Sequence, residues 1–196
     1  IVGLYRINYN ISILDDLKPG NEIFDSIQYV ETHMGGTLPF EIVVDTKIKN
    51  GIVAPAFLSK IDSLKSFLLS QEGVGGAITM ADHIKLVNEE IGSGYRVIPD
   101  DSLEVLSLVK SYDGASSLMD NDLTKTRISA RVKNINSETA ESIVEILKIE
   151  SSRLFGKDTD VIITGSTLLA LHTSKHLVKN LMTSFMLAFI IIFISM

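Results

Sequence analysis

The chain has 196 residues, a net charge of -6 with histidines neutral, and no cysteine. An acidic chain without a Lys/Arg-rich run interleaved with aromatics is a poor nucleic-acid binder, because a phosphate backbone is neutralised by clustered basic side chains. The missing cysteines exclude disulfides, thiolate zinc sites, iron–sulfur clusters and cysteine nucleophiles. The sequence opens on Ile1 and stops at Met196 inside a hydrophobic run, which predicts a longer parent protein.

Tyr5, Ile7, Tyr9, Ile11 and Ile13 alternate with polar residues, so the first element is predicted to be a strand with one wet face. Asn21 can cap a helix in which Ile23, Ile27, Val30 and Met34 form one buried face, ended by Gly35-Gly36. Residues 38–45 follow as a second strand, with Phe40, Ile42 and Val44 on one side. Strand, helix and strand joined by short turns suggest a parallel βαβ unit. Pro55 suits the first turn of the next helix, whose stripe is Phe57, Ile61, Leu64 and Leu68.

Residues 74–79 are a short third strand. Thr79 and Asp82 have capping-box spacing before a helix carrying Ile84, Val87 and Ile91, and Asp101 and Glu104 repeat that spacing before a helix to about Tyr112. Residues 113–123 read as a polar loop, and Ile128, Ala130 and Val132 alternate in a fourth strand. Asn136 or Ser137 opens the longest soluble helix, with Glu138 and Glu141 near its positive end and Ala140, Ile143, Val144 and Leu147 toward the core. Residues 160–164 are a fifth strand, and Gly165 turns the chain into a final helix from about Ser166.

That final helix sets the class. Between Phe185 and Met196 only Ser195 is polar, and no charged residue follows Lys179. A spanning helix takes about 20 mostly apolar residues. The run qualifies from near Leu181, and it lies at the wrong end to be a signal peptide. The expected fold class is α+β: a ferredoxin-like, βαβ-containing mixed sheet with helices on one face, followed by the start of a transmembrane helix. Residues 1–165 form the predicted α/β domain, and residues 166–196 lead into the membrane, with 181–196 inside it.

Several residues invite a chemical reading. His172 and His176 have the i, i+4 spacing of a metal pair, but Thr173 stands where a zinc protease carries glutamate. They read instead as exposed polar residues beside the bilayer. Asp45, in Val43-Val44-Asp45-Thr46, lacks the neighbours of a catalytic or phosphorylated aspartate and reads as a strand-end residue. Gly73, Gly75 and Gly76 lack the spacing of a phosphate loop and suit close packing at a strand entry. Gly165-Ser166-Thr167 is not a nucleophile elbow. Asn10-Ile11-Ser12 spells a glycosylation sequon but falls inside the first predicted strand. Arg127 and Arg131 share a strand face, which reads as solvated. No catalytic, cofactor-binding or metal-ligating residue is assigned, the substrate-binding residues stay open, and no enzyme activity is expected.

The segment Gly35-Gly36-Thr37-Leu38-Pro39-Phe40-Glu41-Ile42-Val43-Val44-Asp45-Thr46 resembles the entry to the second strand of the porter domain in MMPL-type exporters of the RND superfamily. Phe57-Leu58-Ser59-Lys60-Ile61 resembles that family's second helix. Gly73-Val74, Ala81-Asp82 and Leu86-Val87-Asn88 are similar to its next segment, and Arg96-Val97-Ile98-Pro99 to the element after it. Thr126-Arg127-Ile128-Ser129 resembles the strand that follows. Val161-Ile162-Ile163-Thr164-Gly165-Ser166 resembles the strand and turn before the second transmembrane helix.

The resemblance implies an extracytoplasmic porter domain, set between transmembrane helices 1 and 2 of a proton-driven exporter in a bacterial inner membrane. Ile1-Val2-Gly3 would then lie just after the first span. The implied partners are the lipid bilayer, the remainder of the transporter chain, a hydrophobic or amphiphilic substrate, and a homo-oligomer or periplasmic adaptor. No cofactor and no nucleic acid are implied. The family's proton relay lies in later helices, so none of its residues carries over. The competing expectation is a membrane-anchored ferredoxin-like module that binds a ligand or assembles without transport.

Overall fold

The computed structural model describes residues 20–111 and 113–195. The elements are α1 (Glu22–His33), β1 (Leu38–Asp45), α2 (Pro55–Leu69), β2 (Val74–Ile78), α3 (Met80–Ile91), α4 (Ser102–Ser111), β3 (Lys125–Val132), α5 (Ser137–Phe155), β4 (Asp160–Thr164) and α6 (Ser166–Ser195). Single 3-10 segments occupy Gly51–Val53 and Asp113–Leu118, the second inside the stretch expected to be loop. The strand expected over residues 5–13, and the parallel unit it would begin, lie outside the described residues.

Local chemistry starts most of these helices. Asn21 accepts a 3.0 Å hydrogen bond from the Ile23 amide at α1, and Pro55 sits in the first turn of α2. Thr79 and Asp82 form a reciprocal capping box: the Asp82 amide donates to Thr79 Oγ1 at 3.2 Å, and the Thr79 amide to Asp82 Oδ2 at 2.9 Å. Asp101 accepts from the Leu103 amide at 3.1 Å, and Asn136 from the Thr139 amide at 2.9 Å.

The four strands form one sheet in the order β2-β3-β1-β4, and every neighbouring pair is antiparallel. Since β3 opposes both β1 and β2, those two run in the same direction. They are parallel without being neighbours: β1-α2-β2 crosses over, and β3 inserts between its strands. The second unit, β3-α5-β4, is split in the same way by β1. This is the ferredoxin-like arrangement, with antiparallel ladders throughout.

Period-two alternation decides which side the helices cover. Phe40, Ile42 and Val44 from β1 and Thr126, Ile128, Ala130 and Val132 from β3 are buried. They share one core with Leu58, Ile61, Leu64 and Leu68 of α2, Met80 and Ile84 of α3, and Ala140, Ile143 and Leu147 of α5. Each large aliphatic side chain withdrawn from water contributes about 1.5–3 kcal/mol, so this layer supplies most of the drive to fold. The other strand positions point away from it.

The N-terminal helix departs from expectation. None of the residues of α1 is buried; Ile23 and Met34 are exposed, and Phe24, Ile27 and Val30 only half-buried. Its apolar spacing is helical, but the helix lies beside the core instead of on it. What holds its end is polar: Glu31 accepts from the Asn134 amide at 2.7 Å and from the Thr37 hydroxyl at 3.2 Å. The turn after it packs backbone on backbone. A Cβ on Gly75 would coincide with the Gly35 carbonyl, which explains the glycine at the second position of β2.

On the outside of the helical layer, a charge network joins α2 to α3. The Lys65 ammonium bonds Asp82 and lies 3.4 Å from Asp62, whose other oxygen accepts from Lys85 at 2.7 Å. Partial burial works against both charges. For Asp62 the Lys85 and Lys65 ammoniums outweigh it, holding the carboxyl below its ordinary range; for Lys65 the two aspartates outweigh it and raise the amine.

A carboxyl depressed in the folded state adds stability above its unfolded value and loses it as pH falls through the folded one. Asp62→Asn is therefore expected to cost about 1–2 kcal/mol at pH 7. The difference from wild type should shrink toward zero below about pH 4. Thermal unfolding of both proteins across that range checks it.

Candidate functional site

Two features remain outside the shared core: the sheet's outer face and the long run of α6. The register places the outward residues in rows. Ser129 faces Glu41 and Ile78, Glu41 also faces Thr164, and Val43 lies between Arg127 and Ile162. Ile78 and Ile162 are 61% and 58% exposed, so this side of the sheet is substantially open.

At the centre of that face, Ser129 Oγ donates to Glu41 Oε1 at 2.8 Å, and Arg127 Nη1 lies 3.9 Å from Glu41 Oε2. Glu41 Oε2 and Arg127 Nε are both withdrawn from solvent without a hydrogen-bond partner among the described residues. Arg127 and Arg131 do share the outward face, as their spacing predicts, with Arg131 exposed and Arg127 half-buried. Sequence reading missed Glu41. Its signal was the one acid inside an apolar strand that ends on a second, Asp45, and only the register reveals Ser129 and Arg127 beside it. Asp45 lies at the strand end: it accepts from the Lys47 amide at 2.8 Å and pairs with Lys125 at 3.3 Å, while Lys47 pairs with Asp160 at 2.9 Å.

The 30-residue α6 begins at the sheet and leaves it. Gly165 has φ +132°, and a Cβ there would come within 2.8 Å of the Pro39 carbonyl oxygen. That same oxygen accepts a 2.8 Å hydrogen bond from Thr167 Oγ1. Thr167, Leu168 and Leu171 are buried, and Lys175 Nζ bonds both oxygens of Glu141 on α5, at 2.6 and 2.8 Å. From Leu177 onward most of the large apolar side chains are exposed, Phe193 at 83%. At about 1.5 Å per residue, α6 spans roughly 45 Å, against about 30 Å of bilayer hydrocarbon. By length and composition it can cross a membrane, and none of its most apolar stretch is buried in the protein.

His172 and His176 are exposed on α6, and among the described residues no group of three or more His, Asp or Glu side chains can hold a metal ion. Ser166 and Thr167 are part of the α6 entry, and Thr167 is committed to Pro39. A shallow cleft of about 290 Å³ lies between the end of α5 and β4; Ser151, 2% exposed, lines it with an unpartnered hydroxyl. Sequence reading also missed the role of Asn88. Its buried amide donates to the Val97 carbonyl at 2.9 Å and accepts from the Ser93 amide at 2.9 Å, tying down the loop after α3.

Scanning the chain against protein-family models gives no match, and no curated protein matches it.

Asn88→Ala removes both bonds and leaves the Ser93 and Val97 backbone groups short of partners. We expect a loss of about 2 kcal/mol. Exchange of the Ser93 amide with deuterium should rise sharply while the Ile42 and Ile128 amides stay protected. Unchanged exchange at Ser93 would assign the loop's order to something else.

Proposed function

We propose that this chain is the extracytoplasmic porter domain of a proton-driven, RND/MMPL-like exporter. In this reading it lies outside a bacterial inner membrane and guides a lipid or other hydrophobic substrate. The observation that carries the reading is the junction between sheet and helix. A twice-split βαβ sheet runs from its last strand, through one glycine, into a helix whose first turns share the sheet's core and whose distal run is apolar and exposed. Such a joint transmits tilt of a membrane helix to the sheet as a rigid movement, which is what a transport cycle asks of a domain outside the bilayer. The resembling segments also meet in space: Gly35 packs on Gly75, and Asn88 holds Val97. No catalytic role is part of this reading.

Deleting the parent gene from its bacterial host is expected to raise intracellular accumulation of a hydrophobic dye or of the exported lipid. The wild-type gene should restore efflux, and a protonophore should abolish that restoration. A Thr164-Gly165-Ser166 junction lengthened by a flexible Gly-Ser insert should restore membrane localisation but not efflux. Unaltered accumulation after deletion contradicts the proposal.

The open sheet face with Ile78 and Ile162 favours a second reading, a membrane-anchored module that binds or assembles without moving substrate. Membrane localisation with a deletion phenotype that is indifferent to the protonophore selects it.

A further inference from the structure

The segment of α6 just before its charge-free run carries His172, Lys175, His176 and Lys179, at i, i+3, i+4 and i+7, so all four share one side of the helix. All four are exposed. Their distance from Leu181, where the apolar run opens, separates their roles. At about 1.5 Å per residue, Lys179 stands about 3 Å above that point, His176 about 7.5 Å, Lys175 about 9 Å and His172 about 13.5 Å. A headgroup layer is roughly 5–8 Å thick on each side of the hydrocarbon.

Lys179 thus lies within the layer and His176 at its outer limit, while His172 lies beyond it. Lys175, just above, is already held by Glu141. Neither the Lys179 ammonium nor the His176 ring has a partner among the described residues. Two donors one helical turn apart, beside a Lys175 whose charge is met by Glu141, suit a tetrahedral phosphate approached from the bilayer side.

We propose that His176 and Lys179 form a site for the phosphate of an anionic phospholipid, with Lys175–Glu141 fixing the helix so that the pair meets the headgroup layer. This rests on α6 entering a membrane, and it adds the lipid class and the residues that read it. A net negative headgroup is required because a lysine near an anionic surface gains roughly fivefold in local affinity, a gain that a zwitterionic surface does not supply. Long cationic side chains also reach along the helix toward headgroups while their stems stay on apolar surface.

The test uses the full chain in vesicles of phosphatidylcholine alone or with one-third phosphatidylglycerol. Flotation reports insertion. Pulsed amine acetylation read by mass spectrometry reports the reactivity of Lys179 relative to exposed Lys110. The expected result is flotation with both vesicles, and Lys179 protected several-fold more in the anionic ones. His176→Gln should remove at least half of that protection without affecting flotation. Equal protection in both vesicles, or full protection in His176→Gln, would overturn the site while leaving the membrane helix standing. Failure to float with either vesicle would overturn the membrane reading of α6 and this inference with it.

Discussion

The contact on which the rest depends is that between the start of α6 and the start of β1. Thr167 donates to the Pro39 carbonyl, and Gly165 leaves room for the close approach that this bond needs. Leu168 and Leu171 then enter the same core as Phe40 and Leu147. An exposed apolar helix joined by a slack linker would be an anchor and nothing more. Here the first turns of the helix are part of the sheet's packing, and the Lys175–Glu141 pair adds a second point of attachment on α5. Because a close-packed interior moves as a unit, any displacement of the first turns of α6 must either move the sheet or break this core.

The sheet divides its two faces by chemistry. One side is filled by α2, α3 and α5. The other carries a half-satisfied polar centre, Glu41 with Ser129 and Arg127, flanked by Ile78 and Ile162. Buried polar atoms without partners are uncommon in folded proteins, and two of them lie side by side here. A face of this kind suits an encounter with something both polar and apolar, as the proposed guidance of an amphiphile demands, and it also suits a neighbouring domain. Its location on the sheet that α6 grips is what links the two features.

Much of this was legible in the chain. Phe40-Ile42-Val44 and Ile128-Ala130-Val132 announced their strands by alternation, and Asn21, Thr79, Asp101 and Asn136 marked helix starts because a short polar side chain satisfies a free amide there. The antiparallel register was not legible, since pairing across β3 joins residues some 90 positions apart, as Glu41 and Ser129 show. Nor was the position of α1: helical spacing of Ile23, Ile27, Val30 and Met34 predicts a face, not the surface that face meets. The close packing at Gly75 was anticipated in kind, but its partner, Gly35, emerges only from the fold. Glu41 and Asn88 went unnoticed for the same reason, as each acts through residues distant in sequence or loop geometry.

The central claim is that the distal half of α6 lies in a bilayer while the α/β unit stays in water. The chain has no cysteine, so a single one can report its own surroundings. Ala188→Cys and Ser152→Cys, each carrying an environment-sensitive fluorophore in lipid vesicles, make the most direct comparison. The account predicts that the probe at 188 is blue-shifted, quenched by lipids labelled in the acyl chain and insensitive to aqueous iodide, with the reverse pattern at 152. Iodide quenching of the probe at 188, equal to that at 152, would contradict it.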